Sequence, residues 1–318
     1  MNVTYVPGDV PELTEPVLET LAATGVALQW EHPDADDLDA VVHSLRRTGA
    51  GLLGWRAGAR TERQVPPAVA LRRAMGVHAQ ERPVRDVPGV PGRFSGVDLV
   101  VVRETTEDVY AMLEHETIPD VFESLKVTTQ AACERIARHA FELAVRQGRK
   151  RVTIVHKANI MKLSDGMFLA TARRVAEDYP EIACDDVIVD ALCMKVVLDP
   201  TRFDVLVCGN LFGDIVSDVC AGLVGGPSNT PSVNRADGAT LFTAGHGDAP
   251  DVAGTGRANP LPLLLPALHL LDHLGQGDAS TRLGAAISAA LSDGIRPVAL
   301  GGEASAAVFC AAVRQRLG

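Results

Sequence analysis

Short apolar runs of strand-forming residues alternate with longer segments of helical spacing along most of this chain. The clearest runs lie at residues 99–103, 151–156 and 203–208. Runs of this length, separated by helical patterns of ten or more residues, are typical of strands connected by helices. The alternation therefore predicts an α/β fold.

Capping residues mark the ends of two predicted helices. Residues 37–47 have helical spacing, and Gly49 is placed to end that helix. Ser124 is the predicted N-cap of a long helix that ends at about Gln147. Prolines interrupt residues 82–96 and indicate an irregular crossover between two domains.

Charge and composition exclude several classes of function. The chain has 40 acidic and 30 basic residues, so its net charge of −10 gives no general attraction for nucleic acid or an anionic membrane. The opening segment MNVTYVPGDVPEL lacks the basic and apolar regions of a signal peptide, and the apolar run at 260–271 is too short to cross a bilayer. We therefore expect a cytoplasmic protein whose six cysteines are reduced and mostly buried.

Two acidic residues share one face of a predicted helix. Asp214 and Asp218 are four residues apart, shortly after the apolar run that ends at Cys208. Two carboxylates this close repel each other unless a cation lies between them, and such oxygen ligands suit Mg²⁺ or Mn²⁺. The spacing also fits the solvated acidic start of a helix, which the helix dipole favours, so both interpretations stay open.

Three further side chains follow apolar strands and are candidates for chemistry. Arg103 is placed to bind a carboxylate through two hydrogen bonds, and Tyr110 lies close enough in sequence to act beside it as an acid. Lys157 leaves an apolar strand, a position from which a lysine can serve as a base. Alternatively, Arg103 and Tyr110 belong to a surface ion-pair cluster, and Lys157 is an ordinary surface lysine.

These residues lie inside four longer strings that follow one another in a specific order. The strings are VVRETTEDVYAMLEH, HKANIMKLSDG, CGNLFGDIVSDVCAGLVGG and GHGDAPDVAGTGRANP. In content and order they resemble the metal-dependent, β-decarboxylating dehydrogenases of the isocitrate/isopropylmalate dehydrogenase family, which also includes homoisocitrate and tartrate/D-malate dehydrogenases. The resemblance covers residues 69–275 well and the N-terminal segment loosely.

The resemblance implies both a fold and an assembly. The expected fold is α/β, an isopropylmalate-dehydrogenase-like sandwich of two domains that is not a Rossmann fold. Residues 1–87 plus 226–318 would form a large cofactor-binding domain. Residues 88–225 would form a small domain with the dimer interface and the metal and substrate residues. The family works as a homodimer whose active sites borrow residues from the neighbouring protomer.

The resemblance also implies NAD-dependent, Mg²⁺- or Mn²⁺-dependent oxidation of a malate-type 2-hydroxy acid, followed by decarboxylation. By position, three arginines would hold the malate core, a tyrosine would protonate the enol, and a lysine of the neighbouring protomer would act as the base. Those residues are Arg72, Arg82, Arg103, Tyr110 and Lys157. The metal ligands would be Asp214 and Asp218 of one protomer, completed by Asp190 of its neighbour.

The turn at residues 246–254 is the expected cofactor loop, because exposed backbone N–H groups in a turn of this kind can hold a nucleotide. Asp251 stands where NAD-using members of the family carry an aspartate for the adenosine ribose. An acidic side chain there repels a 2′-phosphate, which favours NAD over NADP. The other expected contacts are His246, Gly247, Ala249, Pro250, Val252 and Asn259.

The chain departs from the family pattern near the cofactor and near the substrate. The family motif GDGIGPE reads GDVPELTE here, and Thr243 replaces a glutamate that most members carry before the cofactor loop. Pro66 and Ala68 stand where isocitrate enzymes have a serine and an asparagine and isopropylmalate enzymes have leucines. Isocitrate is therefore not the expected substrate.

The loop before these two residues is rich in arginine. Arg56, Arg60 and Arg63 either pair with an anionic substituent on the malate core, such as a carboxylate, sulfonate or phosphonate, or form a solvent-facing basic loop. The first interpretation predicts an unusual malate derivative in a specialised biosynthetic pathway.

Two other functions remain open. The altered N-terminal loop and Thr243 fit a catalytically silent regulatory subunit of a hetero-oligomeric dehydrogenase. The chain could also be a dehydrogenase that releases the keto acid without decarboxylating it. Against a silent subunit, the chain keeps every residue expected to handle protons and metal, namely Tyr110, Lys157, Asp190, Asp214 and Asp218.

Overall fold

The structure is a computed structural model that describes residues 1–56, 65–90, 92–245 and 252–318. Within these residues the strands are β1 (Asn2–Val6), β2 (Gln29–Glu31), β3 (Ala50–Leu53), β4 (Ala79–Arg85), β5 (Asp98–Glu104), β6 (Glu114–Ile118), β7 (Val121–Ser124), β8 (Arg151–His156), β9 (Ala183–Ile188), β10 (Val205–Cys208), β11 (Ser232–Ala236) and β12 (Ala239–Thr243). The helices are α1 (Thr14–Ala22), α2 (Leu38–Thr48), α3 (Pro67–Met75), α4 (Gln130–Arg146), α5 (Ser164–Ala176), α6 (Val189–Leu198), α7 (Asn210–Leu223), α8 (Leu261–His273), α9 (Gly277–Ser292) and α10 (Ala306–Gln315), with a 3₁₀ turn at Val109–Ala111. Strands and helices alternate, which confirms the predicted α/β class.

The chain divides into two compact units. The first contains residues 1–75, 86–93 and 224–318, and the second contains residues 76–85 and 94–223. Strand β4 belongs to the second unit because it pairs along its whole length with β5. The sequence-based boundary, between residues 87 and 88, differs from these units. The prolines of residues 82–96 indicate an irregular crossover, but Pro83 lies inside β4.

The first unit contains five strands in the order β2-β1-β3-β12-β11. Strand β1 pairs in parallel with β2 and β3, and β12 pairs in parallel with β3 and antiparallel with β11. Apolar side chains of this sheet and of α1, α8, α9 and α10 form one hydrophobic core. The apolar run at 260–271 forms most of α8 in this core. No helix in the described part of the chain is long and apolar enough to cross a membrane.

The second unit contains five strands in the order β4-β5-β10-β8-β9. Strands β5, β10, β8 and β9 are parallel, and β4 is antiparallel to β5. Helices α4 and α5 pack on this sheet and form a second hydrophobic core with it. Cys208 lies opposite Arg103 on one side and Val155 on the other, so β5, β8 and β10 end at the same edge. The candidate catalytic residues follow that edge.

The start of α4 is not where the sequence predicts it. Thr129 is the N-cap, and its Oγ1 accepts a hydrogen bond from Ala132 N at 3.2 Å. Ser124 instead ends β7, which forms an antiparallel hairpin with β6. Every residue of these two strands is exposed, so the hairpin has no alternation of apolar and polar residues from which to predict it.

Residues 49–54, GAGLLG, have the glycine spacing of a dinucleotide-binding fingerprint. Such a fingerprint follows a strand and opens a helix. Here Gly49 ends α2 with a φ of 73°, and the residues after it form β3. The string is therefore a helix end followed by a strand and not a Rossmann motif.

The six cysteines are free thiols, and the expectation of mostly buried thiols is confirmed. Burial is the largest cause that raises the pKa of Cys133 and Cys220 to about 12, so both are protonated at neutral pH. Two cysteines are exceptions, since Cys184 is exposed and Cys193 is half-buried.

Candidate active site

The shared edge of β5, β8 and β10 positions two groups of side chains in the second unit. Strand β5 leads to the 3₁₀ turn that carries Tyr110, and β10 leads into α7, which carries Asp214. Strand β8 leads into the turn that carries Lys157, and α6 carries Asp190. We call the two sets the Asp214 group (Arg82, Arg103, Tyr110, Asp214 and Asp218) and the Lys157 group (Lys157 and Asp190).

The Asp214 carboxylate accepts hydrogen bonds from an arginine and a tyrosine. Tyr110 Oη donates to Asp214 Oδ2 at 2.5 Å, and Arg103 forms an ion pair with Asp214 Oδ1. Burial raises the pKa of Tyr110, and the hydrogen bond to Asp214 raises it further, against the opposing effect of Arg103. Tyr110 therefore keeps its proton at neutral pH, as a general acid must.

Arg103 is held in one orientation by the fold. Its side chain is only 3% exposed. Arg103 Nε donates to Asn210 Oδ1 at 2.9 Å, and Arg103 Nη1 donates to Gln80 Oε1 at 3.3 Å. Asn210 Nδ2 in turn donates to the backbone oxygen of Glu107 at 3.0 Å. A buried guanidinium fixed on several sides is already oriented before any ligand binds.

Two residues of α7 that help to hold Arg103 were missed by the sequence analysis. One is Asn210, and the other is Gly213, where an added Cβ would lie 2.6 Å from Cγ and 2.7 Å from Cβ of Arg103. Glycine therefore allows α7 to approach β5. The only signal in the sequence is their place in the string CGNLFGD, and spacing alone does not distinguish them from ordinary helix residues.

Asp218 lies one helical turn after Asp214 and is open to solvent. Arg82 Nη2 lies 3.5 Å from Asp218 Oδ1, and the two side chains are 8% and 69% exposed respectively. Burial lowers the pKa of Arg82, and the charge of Asp218 partly opposes this effect. The guanidinium nevertheless stays charged, because the ordinary pKa of arginine is far above neutrality.

The Lys157 group is separate from the Asp214 group in this chain. Lys157 Nζ forms an ion pair with Asp190 Oδ1, and this hydrogen bond is the main cause that lowers the pKa of Asp190. In the described residues, neither Lys157 nor Asp190 makes a hydrogen bond or ion pair with Asp214 or Asp218. Within one chain, the residues of each group therefore contact one another, but no direct hydrogen bond or ion pair among the described residues connects the two groups.

The donor set shows whether a divalent cation fits. Asp214 and Asp218 provide carboxylate oxygens one helical turn apart, the ligand type that Mg²⁺ and Mn²⁺ prefer. Both carboxylates already lie against a guanidinium, which shows that positive charge is stabilising at this position. No group of three or more His, Cys, Asp or Glu placed to hold a metal occurs in the part of the chain that is described. The pair thus fits a cation whose remaining ligands come from elsewhere.

The first unit contains the remaining predicted site residues. Arg72 lies on α3, and its Nε donates to the backbone oxygen of Ala68 at 3.2 Å. Asn259 Oδ1 accepts from Leu261 N at 3.1 Å, whereas its buried Nδ2 has no hydrogen-bond partner among the described residues and can donate to a ligand. Val252 is described and partly buried. Five predicted contacts lie outside the described residues: His246, Gly247, Ala249, Pro250 and Asp251.

Two of the departures from the family pattern have visible contacts. Glu12, in the shortened GDVPELTE segment, accepts a hydrogen bond on Oε1 from Gly254 N at 2.7 Å. Thr243 Oγ1 accepts from Asn234 Nδ2 at 3.1 Å. Glu12 therefore holds the backbone of the last residue of the predicted cofactor loop. This role could not be predicted from the sequence, because the two segments are far apart in the chain.

The model of the family described as isocitrate/isopropylmalate dehydrogenase matches residues 35–317. The chain is 40% identical over 331 residues to the mitochondrial NAD isocitrate dehydrogenase catalytic subunit 5 of Arabidopsis thaliana, covering 100% of this chain and 88% of that protein. It is 39% identical over 316 residues to a mitochondrial NAD isocitrate dehydrogenase regulatory subunit of Dictyostelium discoideum, covering 97% and 89%.

Solved structures agree with these matches. The crystal structure of isocitrate dehydrogenase from Methylococcus capsulatus superposes with a TM-score of 0.91 at 38% sequence identity and covers 99% of both chains. The predicted fold is confirmed by this likeness. The chain therefore belongs to the isocitrate/isopropylmalate dehydrogenase family.

Proposed function

We propose that this chain oxidises a 3-substituted malate at its 2-hydroxyl group and then removes the β-carboxylate. Its family makes it an NAD- and metal-dependent decarboxylating oxidoreductase that acts on CH–OH groups. The single observation that carries the proposal is the Asp214 group, in which a carboxylate, a protonated phenol and a fixed guanidinium meet at one sheet edge. This arrangement binds an anion and a cation beside a proton donor.

Binding depends on the charges of this group. Arg82 and Arg103 are proposed to hold the carboxylates of the malate core, with Arg72 as the third arginine. Asp214 and Asp218 are proposed to hold Mg²⁺ or Mn²⁺ together with Asp190 of a second copy. When bound, the metal acidifies the 2-hydroxyl and polarises the 2-oxo group, and NAD accepts the hydride.

Proton transfer is assigned to Lys157 and Tyr110. Lys157 takes the proton of the 2-hydroxyl group during oxidation. When the bond between C3 and the β-carboxylate breaks, CO₂ leaves and C3 of the enol needs a proton. Tyr110 Oη supplies that proton, since its raised pKa keeps the phenol protonated until this step.

The separation of the two groups supports a homodimer with shared sites. Lys157 and Asp190 make no hydrogen bond or ion pair with Asp214 or Asp218 of their own chain, so they are proposed to complete the site of a second copy. Large apolar side chains are exposed on the β6–β7 hairpin, after β8 and on α6. Examples are Ile118 at 63%, Phe122 at 73%, Leu163 at 90% and Leu198 at 70%. Exposed apolar residues of this size suit an interface with another chain.

The substituent on the malate core is the open part of the substrate. Pro66 and Ala68 offer no hydroxyl or amide side chain for a third carboxylate. Arg56 is already engaged in an ion pair with Asp36, so a pairing with an anionic substituent is not supported for this arginine. Arg60 and Arg63 lie outside the described residues and stay candidates.

The two alternatives predict different chemistry. A silent regulatory subunit is suggested by the likeness to a relative that is named regulatory. It does not explain why Tyr110 is hydrogen-bonded and protonated beside Asp214. Release of the keto acid without decarboxylation differs from the main proposal only in the second step.

One assay separates all three. Purified protein with Mn²⁺ and NAD is tested with malate, tartrate, isopropylmalate, isocitrate, homoisocitrate and phosphonomethylmalate, while NADH and CO₂ are followed. We expect equal amounts of NADH and CO₂ from one 3-substituted malate, and loss of both in Asp214→Asn. NADH without CO₂ supports keto-acid release, and no turnover of any substrate supports the silent subunit.

A further inference from the structure

Lys126 lies between the Asp214 group and the Lys157 group without belonging to either. Its Nζ lies 2.8 Å from Asp165 Oδ1 and 3.5 Å from Asp108 Oδ2. The lysine side chain is 19% exposed, against 4% for Asp108 and 5% for Asp165. A lysine enclosed by two buried carboxylates is fixed strongly, because its removal leaves negative charge without compensation.

The Asp108 end of this bridge holds the elements that carry Tyr110 and Asp214. Asp108 Oδ1 accepts a hydrogen bond from Val109 N at 2.8 Å, in the turn that contains Tyr110. Asp108 Oδ2 accepts from Leu211 N at 3.1 Å, in the first turn of α7. One carboxylate therefore joins the turn of the acid to the helix of the metal-binding pair.

The backbone of Asp108 also shows that this position is constrained. Its φ of 74° and ψ of −154° are values that are nearly restricted to glycine. A residue keeps such a conformation only where surrounding contacts hold it. Those contacts include the hydrogen bond from Asp108 N to Val127 O at 2.9 Å, next to Lys126 in the chain. Lys126 Nζ also lies 4.8 Å from the ring centre of Phe212 on α7.

The Asp165 end of the bridge holds the turn that carries Lys157. Asp165 Oδ2 accepts a hydrogen bond from Lys157 N at 2.6 Å, while its other oxygen faces Lys126. The next amide, Ala158 N, donates to His156 Nδ1 at 3.1 Å. Two consecutive amides at the start of the turn are thus fixed, and Lys157 Nζ forms its ion pair with Asp190.

Lys126 does not bind substrate at this position. The cavity that it lines with Asp108 and Asp165 has a volume of about 20 Å³. A space of this size holds a single water molecule and no malate derivative. The arrangement therefore acts on the site through other residues.

We infer that Lys126 is a positioning residue that ties the Asp214 group to the Lys157 group through Asp108 and Asp165. This inference rests on the proposed function, in which Tyr110 is the acid and Lys157 the base. Lys157 is proposed to serve the site of a second copy. Lys126 therefore connects the two active sites of the dimer. A shift of either carboxylate is then transmitted from one site to the other.

Amide hydrogen exchange on the unliganded full-length protein tests the bridge without any turnover. Lys126→Met removes the charge and keeps most of the side-chain length, and Asp165→Asn removes the same ion pair while keeping an oxygen for Lys157 N. We expect exchange to accelerate by about tenfold or more in Lys126→Met at both ends, at Val109 and Leu211 and at Lys157. Lys126→Arg should restore most of the protection, and Lys150→Met, which removes a surface lysine, should leave it unchanged.

Acceleration at only one end, or at neither, would overturn the inference. Asp165→Asn removes the same ion pair and should accelerate exchange at the far end, at Val109 and Leu211, as well as at Lys157, so this variant keeps the test valid should Lys126→Met fail to fold. In turnover, we expect Lys126→Met to lower kcat by about ten- to a hundredfold with KM for NAD little changed, as for a misplaced catalytic group. A stabilising ion pair with no positioning role would lower the Tm and leave kcat unchanged. An inactive wild-type protein would contradict the proposed function, but the exchange result would still decide the bridge.

Discussion

The Asp214 carboxylate contacts two side chains that lie far from it in the sequence. Tyr110 and Arg103 precede it by 104 and 111 positions. Because the pair Asp214 and Asp218 follows from helical spacing, the sequence alone indicates it. The contact with Arg103 depends on Gly213, and no local pattern reveals which glycine of a helix faces a buried guanidinium.

The close approach at Gly213 gives a first prediction. Gly213→Ala places a Cβ 2.6 Å from Cγ of Arg103, so the arginine must move. Overpacking of this kind costs about 1–3 kcal/mol, and we expect kcat to fall as well. The matched control is Gly222→Ala on the same helix, where an added Cβ meets nothing within 4 Å. Urea unfolding and kinetics measure both variants, and equal behaviour of the two would refute the role of Gly213.

The ion pair of Lys157 with Asp190 gives a prediction about pH. Lys157 lowers the pKa of Asp190. Its stabilising effect is therefore present above the ordinary pKa of aspartate and is lost as the pH falls through the lowered value. Lys157→Met should raise the pKa of Asp190 in the metal-free protein, as measured by carbon NMR of the carboxyl group. The control variant Lys162→Met removes a nearby positive charge and should leave the pKa of Asp190 unchanged. An unchanged Asp190 pKa in Lys157→Met would rule out the pairing.

At the level of elements, the parallel strands β5, β8 and β10 explain why the site residues follow apolar runs. Their carboxyl ends lie side by side, so residues just after each strand meet. The strands themselves could be predicted closely, since β8 spans Arg151–His156 as expected. The β6–β7 hairpin could not, because both of its faces are exposed and its stabilising partner lies outside this chain in the proposed dimer.

The hairpin provides an element-scale prediction. Phe122 is 73% exposed, and Phe122→Glu places a charge on an apolar surface that we propose to be covered by a second copy. We expect analytical ultracentrifugation to show monomers, with turnover lost at the same protein concentrations. Val145→Glu changes another exposed apolar residue, on α4, and should leave the dimer intact. A dimeric and active Phe122→Glu would disagree with this interface.

For the whole molecule, family membership could be predicted from the content and order of the four sequence strings. The relation between the Asp214 group and the Lys157 group could not be predicted in this way. A single sequence describes one chain, and the proposed shared site requires two. The structure supports this proposal in physical terms: Asp214 and Asp218 lie beside Arg103 and Arg82, and no third acidic ligand joins them from the described residues of their own chain.

Complementation between two inactive variants tests the shared site most directly. Tyr110→Phe and Lys157→Ala homodimers should each be inactive. After the two variants are mixed, unfolded and refolded together, half of the dimers contain one of each, and one of their two sites has both residues intact. We therefore expect about a quarter of the wild-type turnover to return. If mixing restores no activity while refolded wild type is fully active, each chain contains its own complete site, and the proposed sharing of Lys157 between protomers is contradicted.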